Sequence, residues 1–139
     1  MKKHTPEKFE ETPKGSNLIP LSPMDRVLAA EKKVKCHVAG HVYELPNLEG
    51  DGTQTLKFIR KELPKIQNPK ETPVLVTVED GTTNEAVLQA LIDRLAILNQ
   101  RVNSFENVFA HYHLCCALEN LRRRSADRIA RDVEGKPVE

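Results

Sequence analysis

The residues best suited to holding an anionic ligand surround a turn between a strand-like run and a helix. The strand-like run ends at Asp80-Gly81, and Thr82 and Glu85 follow at the spacing of a capping box. We therefore expect Thr82 to cap the helix, with Thr83 and Asn84 in its first turn. Backbone N–H groups there have no partner within the helix, so the turn can bind a phosphate or a carboxylate. The same residues would also cap a helix in a protein that binds nothing.

A second group of residues with ligand chemistry is an arginine cluster near the end of a second predicted helix. Between residues 119 and 131 the chain has five arginines and two acids, a local net charge of +3. Such cations can stay solvated at a helix C-terminus, or their guanidinium groups can bind phosphate oxygens. The sequence alone favours solvated cations and leaves phosphate binding open. The cluster consists of Arg122, Arg123, Arg124, Arg128 and Arg131.

Histidines and cysteines do not occur at the spacing of a metal site. His111 and His113 are two residues apart on a predicted helix, so they lie on different faces and cannot bind one ion together. Cys36, His37 and His41 can meet across a hairpin, but no second Cys/His pair has ligand spacing. We therefore expect no metal ligands.

The sequence also lacks the motifs of familiar catalytic nucleophiles. It has no Gly-x-Ser-x-Gly, P-loop or His-Glu-x-x-His motif. The adjacent residues Cys115 and Cys116 are most simply small core residues. We therefore expect a protein without catalytic residues or cofactors, which is not an enzyme.

Local patterns divide the chain into four segments that position these residues. Residues 1–33 are rich in proline and charge and predict a flexible extension, with a short helix over 24–33. Residues 34–80 predict a small antiparallel β-sheet, residues 81–135 a helical hairpin and residues 136–139 a tail. The expected fold class is therefore α+β. The predicted strands cover residues 34–38, 41–45, 53–62 and 74–78.

The predicted helical hairpin has more apolar surface than two helices can bury between them. The first helix keeps its apolar residues on one face, whereas those of the second helix wrap around much of its surface. A short loop at 99–104 makes the helices antiparallel, and Asn103 with Glu106 can cap the second helix. A thin core of this kind predicts a homo-oligomer whose subunits cover one another.

The composition of the 139 residues restricts the class of protein further. The net charge of +1 argues against nucleic-acid and membrane partners. The sequence has no run of about 18 apolar residues, which predicts no transmembrane helix. Three cysteines, an odd number, are typical of a reducing compartment and predict a soluble, cytosolic protein.

Several segments together carry a resemblance to a family. Val-Thr-Val-Glu-Asp-Gly-Thr-Thr-Asn-Glu occupies 76–85, Leu-Ile-Asp-Arg-Leu occupies 91–95, and Arg-Ser-Ala-Asp-Arg-Ile-Ala-Arg-Asp-Val-Glu-Gly occupies 124–135. With them, the hairpin resembles one shared by two kinds of phage anti-defence sponge, the first Thoeris anti-defence family and an anti-CBASS family. Upstream, residues 38–47 and 54–59 are similar to the β portion of the Thoeris family. The resemblance covers roughly residues 34–135, and further matching segments are 98–99, 106–107 and 117–121.

The resemblance implies a decoy that binds cyclic nucleotide immune signals and keeps them from their effector without cleaving them. The signals are glycocyclic ADP-ribose isomers and, in some members, cyclic di- or trinucleotides. It also implies a dimer-based homo-oligomer, often a hexamer, with ligands between subunits, in the cytoplasm of an infected bacterial host. The turn would supply hydrogen-bond donors, with Asn84 bonding an adenine edge or a ribose hydroxyl. The expected ligand-binding residues are Thr82, Thr83, Asn84, Arg101, Arg124 and Arg128.

Two functions of other classes stay open from the sequence. A small oligomeric nucleic-acid-binding regulator could use the arginine cluster, and its affinity for DNA or RNA would fall steeply with salt. A purely structural assembly module would bind no small molecule at all.

Overall fold

A computed structural model describes residues 19–138, which divide into two units between Lys32 and Lys33. In the first unit, the short predicted helix corresponds to α1 (Pro23–Ala30). A capping box starts α1, because the Asp25 N–H donates to Ser22 Oγ (3.1 Å) and the Ser22 N–H donates to Asp25 Oδ2 (3.2 Å). The remainder of the predicted extension, over residues 1–18, lies outside the described residues.

The second unit begins with a three-stranded antiparallel sheet. Its strands are β1 (Lys35–Val38), β2 (Val42–Pro46) and β3 (Thr53–Lys57), in the order β1-β2-β3. Gly40 turns the chain between β1 and β2 with a φ of +74°, a conformation that glycine adopts without the steric cost of a side chain. The hairpin predicted over 34–45 is therefore present.

The single strand predicted over 53–62 is wrong. The chain leaves the first sheet after β3, and a new strand, β4 (Arg60–Glu62), pairs with β5 (Val76–Glu79) in a separate two-stranded antiparallel sheet. The segment 34–80 therefore forms two small antiparallel sheets rather than one.

The backbone between β3 and β4 is held by contacts on both of its edges. The Thr82 N–H donates to the Lys57 carbonyl (2.9 Å), and the Thr82 carbonyl accepts the Ile59 N–H (2.9 Å). Phe58, between these two residues, forms an isolated parallel bridge with Thr82. On its other edge, the Phe58 N–H donates to the His41 carbonyl (2.7 Å), one residue before β2 begins. The ladder with β2 therefore stops where β2 begins, and Thr82 holds residues 57–59 from the opposite edge.

Two packed helices complete the unit, α2 (Asn84–Arg101) and α3 (Phe105–Ala130). Only residues 102–104 join them, so the helices run antiparallel. The grooves between the helices show the same antiparallel arrangement. Asn99 and Asn107 line a groove near the loop, and Ile92 and Leu118 line another groove farther from it. The expected α+β class, with small antiparallel sheets followed by two packed helices, is confirmed.

Both predicted helix caps are one residue off. Thr83, not Thr82, caps α2, and Thr83 Oγ1 accepts the Ala86 N–H at 3.2 Å. Ser104, not Asn103, caps α3, and its Oγ accepts the N–H three residues on at 3.1 Å. In both cases the preceding polar residue has the right chemistry, but the backbone of the next one has the extended conformation of an N-cap.

The hydrophobic core within the described residues is very small. Leu118, at 6% exposure, is the only buried residue among 19–138, and it lies on the side of α3 that faces α2. Many large apolar side chains of α3 remain exposed instead. No helix in the described part of the chain is long and apolar enough to cross a membrane.

Candidate functional site

A close backbone crossing fixes the turn that leads into α2. A Cβ atom at Gly81 would lie 2.6 Å from the carbonyl carbon of Phe58 and 2.7 Å from the carbonyl oxygen of Lys57. Only glycine fits at such a distance without a backbone shift. The Asp80 carboxylate also accepts the Gly81 N–H at 2.8 Å. The crossing therefore holds the start of α2 against the end of β3.

The three turn residues expected to bind a ligand have different surroundings. The N–H and carbonyl groups of Thr82 are both bonded to the crossing chain, so this amide is not available to an anion. The Thr83 hydroxyl is occupied as the α2 cap. Asn84 is the first residue of α2, is exposed, and lines a groove on the three-stranded sheet. Of the three side chains, Asn84 is the one best placed to contact a ligand.

The groove beside Asn84, which we call the sheet groove, is apolar and aromatic. Its volume is about 330 Å³, within the usual range of small-molecule sites, about 300–1,000 Å³. The Tyr43 and Phe58 rings meet edge to face, with centroids 5.9 Å apart and planes at 87°. Such a surface can take a flat ring, and the Asn84 carboxamide adds both a donor and an acceptor at its rim. The other lining residues are Val34, Gly40, Leu45 and Leu56.

The aromatic residues of the sheet groove were not among the residues predicted from the sequence. Tyr43 and Leu45 alternate along β2, and Leu56 and Phe58 are two residues apart at the end of β3. Alternation places each pair on one face of its strand, which is a signal present in the sequence. Asn84 lies at that face because Thr82 bonds to residues 57 and 59. No local sequence pattern predicts these bonds.

The other face of the same hairpin carries a hydrogen-bonded pair of side chains. His37 Nε2 lies 2.5 Å from Glu44 Oε2. The hydrogen bond from His37, followed by one from Thr53, holds the pKa of Glu44 below its ordinary value. Because Glu44 alternates with Tyr43 and Leu45 on β2, this pair stabilises the hairpin from the side opposite the groove.

Arg101 is remote from the sheet groove within one subunit. It lies in the last turn of α2, whereas Asn84 is the first residue. At about 1.5 Å of rise per residue, the two positions are roughly 25 Å apart along the helix. A small ligand in the groove of one subunit therefore cannot reach Arg101 of the same subunit.

Arg128 holds the C-terminal segment of the chain. Its Nη2 donates to the carbonyls of Val133 (2.9 Å) and Lys136 (2.6 Å), and its Nη1 donates to that of Val138 (2.6 Å). Its Nε lies 3.4 Å from Glu134 Oε2, and the side chain is only 12% exposed. We call this arrangement the Arg128 clamp. The clamp occupies most of the guanidinium donors of Arg128, which was expected to bind a ligand.

Arg124 lies in a second groove, of about 600 Å³, beside the Arg128 clamp. Other cations of this groove already have acidic or carbonyl partners. Arg131 bonds Asp127 at 2.8–2.9 Å, and Lys136 Nζ donates to the Asp132 carbonyl at 2.6 Å. Within residues 19–138, Arg122 and Arg124 are the cluster members that form no ion pair, and of these two only Arg124 lines this groove.

The cysteines of α3 have local partners. Cys115 is half-buried, and its Sγ lies 3.8 Å from His111 Nδ1. Cys116 is exposed, so its assignment as a core residue is wrong. A hydrogen bond with Cys116 raises the pKa of Tyr112. Over residues 19–138, no three His, Cys, Asp or Glu side chains come close enough to hold a metal ion together.

Protein-family models, curated proteins and solved structures were all compared with this chain, and none of them matches it.

Proposed function

We propose that the chain is a phage anti-defence sponge, which binds a cyclic nucleotide immune signal in the sheet groove and keeps it intact. The first ligands to consider are glycocyclic ADP-ribose isomers, followed by cyclic di- and trinucleotides. The proposal combines the resemblance of residues 34–135 with the chemistry of the groove. Binding alone withdraws the signal from its effector, so the protein needs affinity and no reaction.

One observation carries the proposal, namely the position of Asn84 at the rim of an aromatic groove. A nucleobase presents a flat apolar face together with an edge of donors and acceptors. Tyr43 and Phe58 match the face, and the Asn84 carboxamide matches the edge of adenine, to which asparagine can bond through two hydrogen bonds. The groove therefore fits the base part of an adenine-containing signal.

The phosphates of such a signal need cations that the groove does not have. Among its described lining residues there is no arginine or lysine. Arg101 is at the far end of α2, and Arg124 lies in the second groove. We therefore propose a homo-oligomer in which a second subunit brings an arginine, Arg101 or Arg124, to the phosphates. In this arrangement the ligand lies between subunits and is closed off from water.

The test is retention and recovery of intact ligand. The purified full-length protein is incubated with a panel of cyclic ADP-ribose isomers and cyclic oligonucleotides, filtered, and then denatured. We expect at least one compound to disappear from the filtrate and to return chemically unchanged on denaturation. A compound that returns cleaved would show an enzyme. If no compound is depleted, the proposal fails.

The variant Asn84→Ala tests whether the retained ligand binds in the sheet groove. Removing a carboxamide that bonds a base in two places lowers affinity by about tenfold or more. The matched control is Asn103→Ala, which removes the same group from the exposed loop between α2 and α3, where it is not a cap. Retention that is equal in the two variants would place the ligand elsewhere. The assembly mass should be unchanged in both.

A nucleic-acid-binding regulator remains an outcome of the same assay. It would retain DNA or RNA with an affinity that falls steeply with salt. The paired state of Arg128, Arg131 and Lys136 gives that function little support, because their charges already face carbonyl or carboxylate oxygens.

A further inference from the structure

An exposed apolar stripe runs along the first half of α3. It consists of Phe105, Phe109, Tyr112 and Cys116, which we call the α3 seam. The intervals between them are four, three and four residues, and this alternation is the spacing of the core positions of a coiled coil. Positions at that spacing form one continuous line on a helix surface.

The three rings of the α3 seam are not on the face that packs on α2. Phe105, Phe109 and Tyr112 line neither of the two grooves between α3 and α2, whereas His111 and Leu118 do. Cys116, at the end of the seam, borders one of these grooves. In contrast, Phe105 is 72% exposed, Tyr112 60% and Phe109 47%. The helix therefore has two apolar faces, and only one is covered by its own chain.

The rings of the seam are held in place although they are exposed. Phe105 and Phe109 meet edge to face with centroids 4.5 Å apart, and Phe109 stacks on His113 at 6.4 Å. Tyr112 also contacts His113, with centroids 5.7 Å apart. A seam of rings that already pack on one another loses little freedom when a partner covers it.

We infer that the α3 seam pairs with the α3 seam of a second copy, with the two helices antiparallel. This inference deepens the assembly proposed above by naming its surface and its symmetry. A two-fold pair of identical surfaces is the commonest way in which soluble chains assemble. It covers the seam without requiring any other partner.

The area of the seam suits a small dimer contact. With about 200 Å² for an aromatic side chain, the three exposed rings offer about 360 Å² per copy. Two copies would thus cover about 700 Å² from the rings alone. This area is below the roughly 1,200 Å² of the smaller specific interfaces, so the seam is one contact of a larger assembly rather than its whole interface.

The residue sizes favour the antiparallel arrangement. In that arrangement Phe105 faces Cys116 of the second copy, and Phe109 faces its Tyr112, so a large side chain meets a small one at each end. A parallel pair would place Phe105 on Phe105 and Cys116 on Cys116, which crowds one end and leaves a gap at the other. It would also bring two copies of Glu119 to facing positions, because Glu119 continues the seam spacing.

Disulfide trapping tests both the surface and the direction. In a chain whose Cys36 and Cys115 are changed to serine, Phe105→Cys is introduced while Cys116 is kept. We expect mild oxidation to give a covalent dimer joined between positions 105 and 116. These positions cannot join within one chain, because about 16 Å of helix separates them and a disulfide spans Cα atoms about 4.4–6.8 Å apart.

Two control chains test whether the paired α3 helices are antiparallel. The same chain with native Phe105, and the Phe105→Cys chain with Cys116→Ser, each hold one cysteine in the seam. Neither should cross-link in an antiparallel pair. A covalent dimer formed by either single-cysteine chain would overturn the antiparallel arrangement.

A second variant tests the surface without a new cysteine. Phe109→Ser should reduce the native assembly mass of the 15.7 kDa chain, whereas Ile129→Ser, which removes an exposed apolar side chain of α3 away from the seam, should not. Circular dichroism checks that the helices persist. If Phe109→Ser assembles like the wild type and no 105–116 bond forms, the inference is wrong. Neither readout involves ligand, so the seam and the sponge function fail separately.

Discussion

The crossing at Gly81 predicts a large penalty for a single added methyl group. Gly81→Ala would place a Cβ atom 2.6–2.8 Å from three backbone atoms of residues 57–59, where ordinary contacts begin at about 3.4 Å. These neighbours are backbone and cannot rotate away. The strands must separate, which weakens the two hydrogen bonds between Thr82 and the chain it crosses.

The magnitude of this penalty follows from the contacts that change. Forced overpacking costs about 1–3 kcal/mol. A hydrogen bond contributes about 1 kcal/mol in net terms, so weakening each of the two bonds by about half costs about 1 kcal/mol in total. We expect Gly81→Ala to lower the free energy of unfolding by about 2–4 kcal/mol and to weaken ligand retention, because the crossing positions Asn84.

The assay is urea unfolding followed by circular dichroism at one fixed protein concentration, since assembly makes stability depend on concentration. The matched control is Gly52→Ala. Its Cβ would lie 2.7 Å from Asn47 Nδ2, but that neighbour is the end of a side chain that can turn aside. We expect it to cost less than about 1 kcal/mol. Equal unfolding midpoints for the two variants would refute the proposed role of the crossing.

Three further predictions concern single contacts. Arg128→Gln opens the Arg128 clamp, lowers the free energy of unfolding by about 2–3 kcal/mol and exposes the C-terminal segment to carboxypeptidase. The pKa of Glu44 is lowered in the folded state, so its hydrogen bond with His37 adds stability above pH 4.5, and this stability is lost as the pH falls through the folded pKa. In thermal unfolding measured at a series of pH values, His37→Ala should therefore lose less of its melting temperature below pH 4.5 than the wild type does. Thr83→Ala costs about 1 kcal/mol in urea unfolding, and Thr82→Ala, which keeps its backbone bonds, costs less.

The elements defined by local pattern could be predicted from the sequence. The β1–β2 hairpin and both long helices follow from alternation, glycine and helical spacing. The break between β3 and β4 could not, because it depends on pairing with segments distant in the chain: β3 pairs with β2, β4 pairs with β5, and Thr82 bonds the backbone between them. Thr82 and Thr83 can both cap a helix, so the sequence does not determine which of the two starts α2.

The candidate site likewise contains residues that could be predicted from the sequence and residues that could not. Asn84 was predicted from its place in the first turn of α2, and it lines the sheet groove. Tyr43 and Phe58 were missed, because they belong to the groove only through the packing of the β2–β3 pair. The Arg128 clamp could not be foreseen, because its acceptors are mainly backbone carbonyls, which every residue has and no motif reveals.

Native mass spectrometry of the assembled protein with a cyclic ADP-ribose isomer tests the central claim most directly. The proposed function predicts an added mass equal to the whole, uncleaved ligand, which is lost or reduced in Asn84→Ala and kept in Asn103→Ala. The assembled protein with no added mass across the ligand panel, or with only fragments of the ligand, would contradict it.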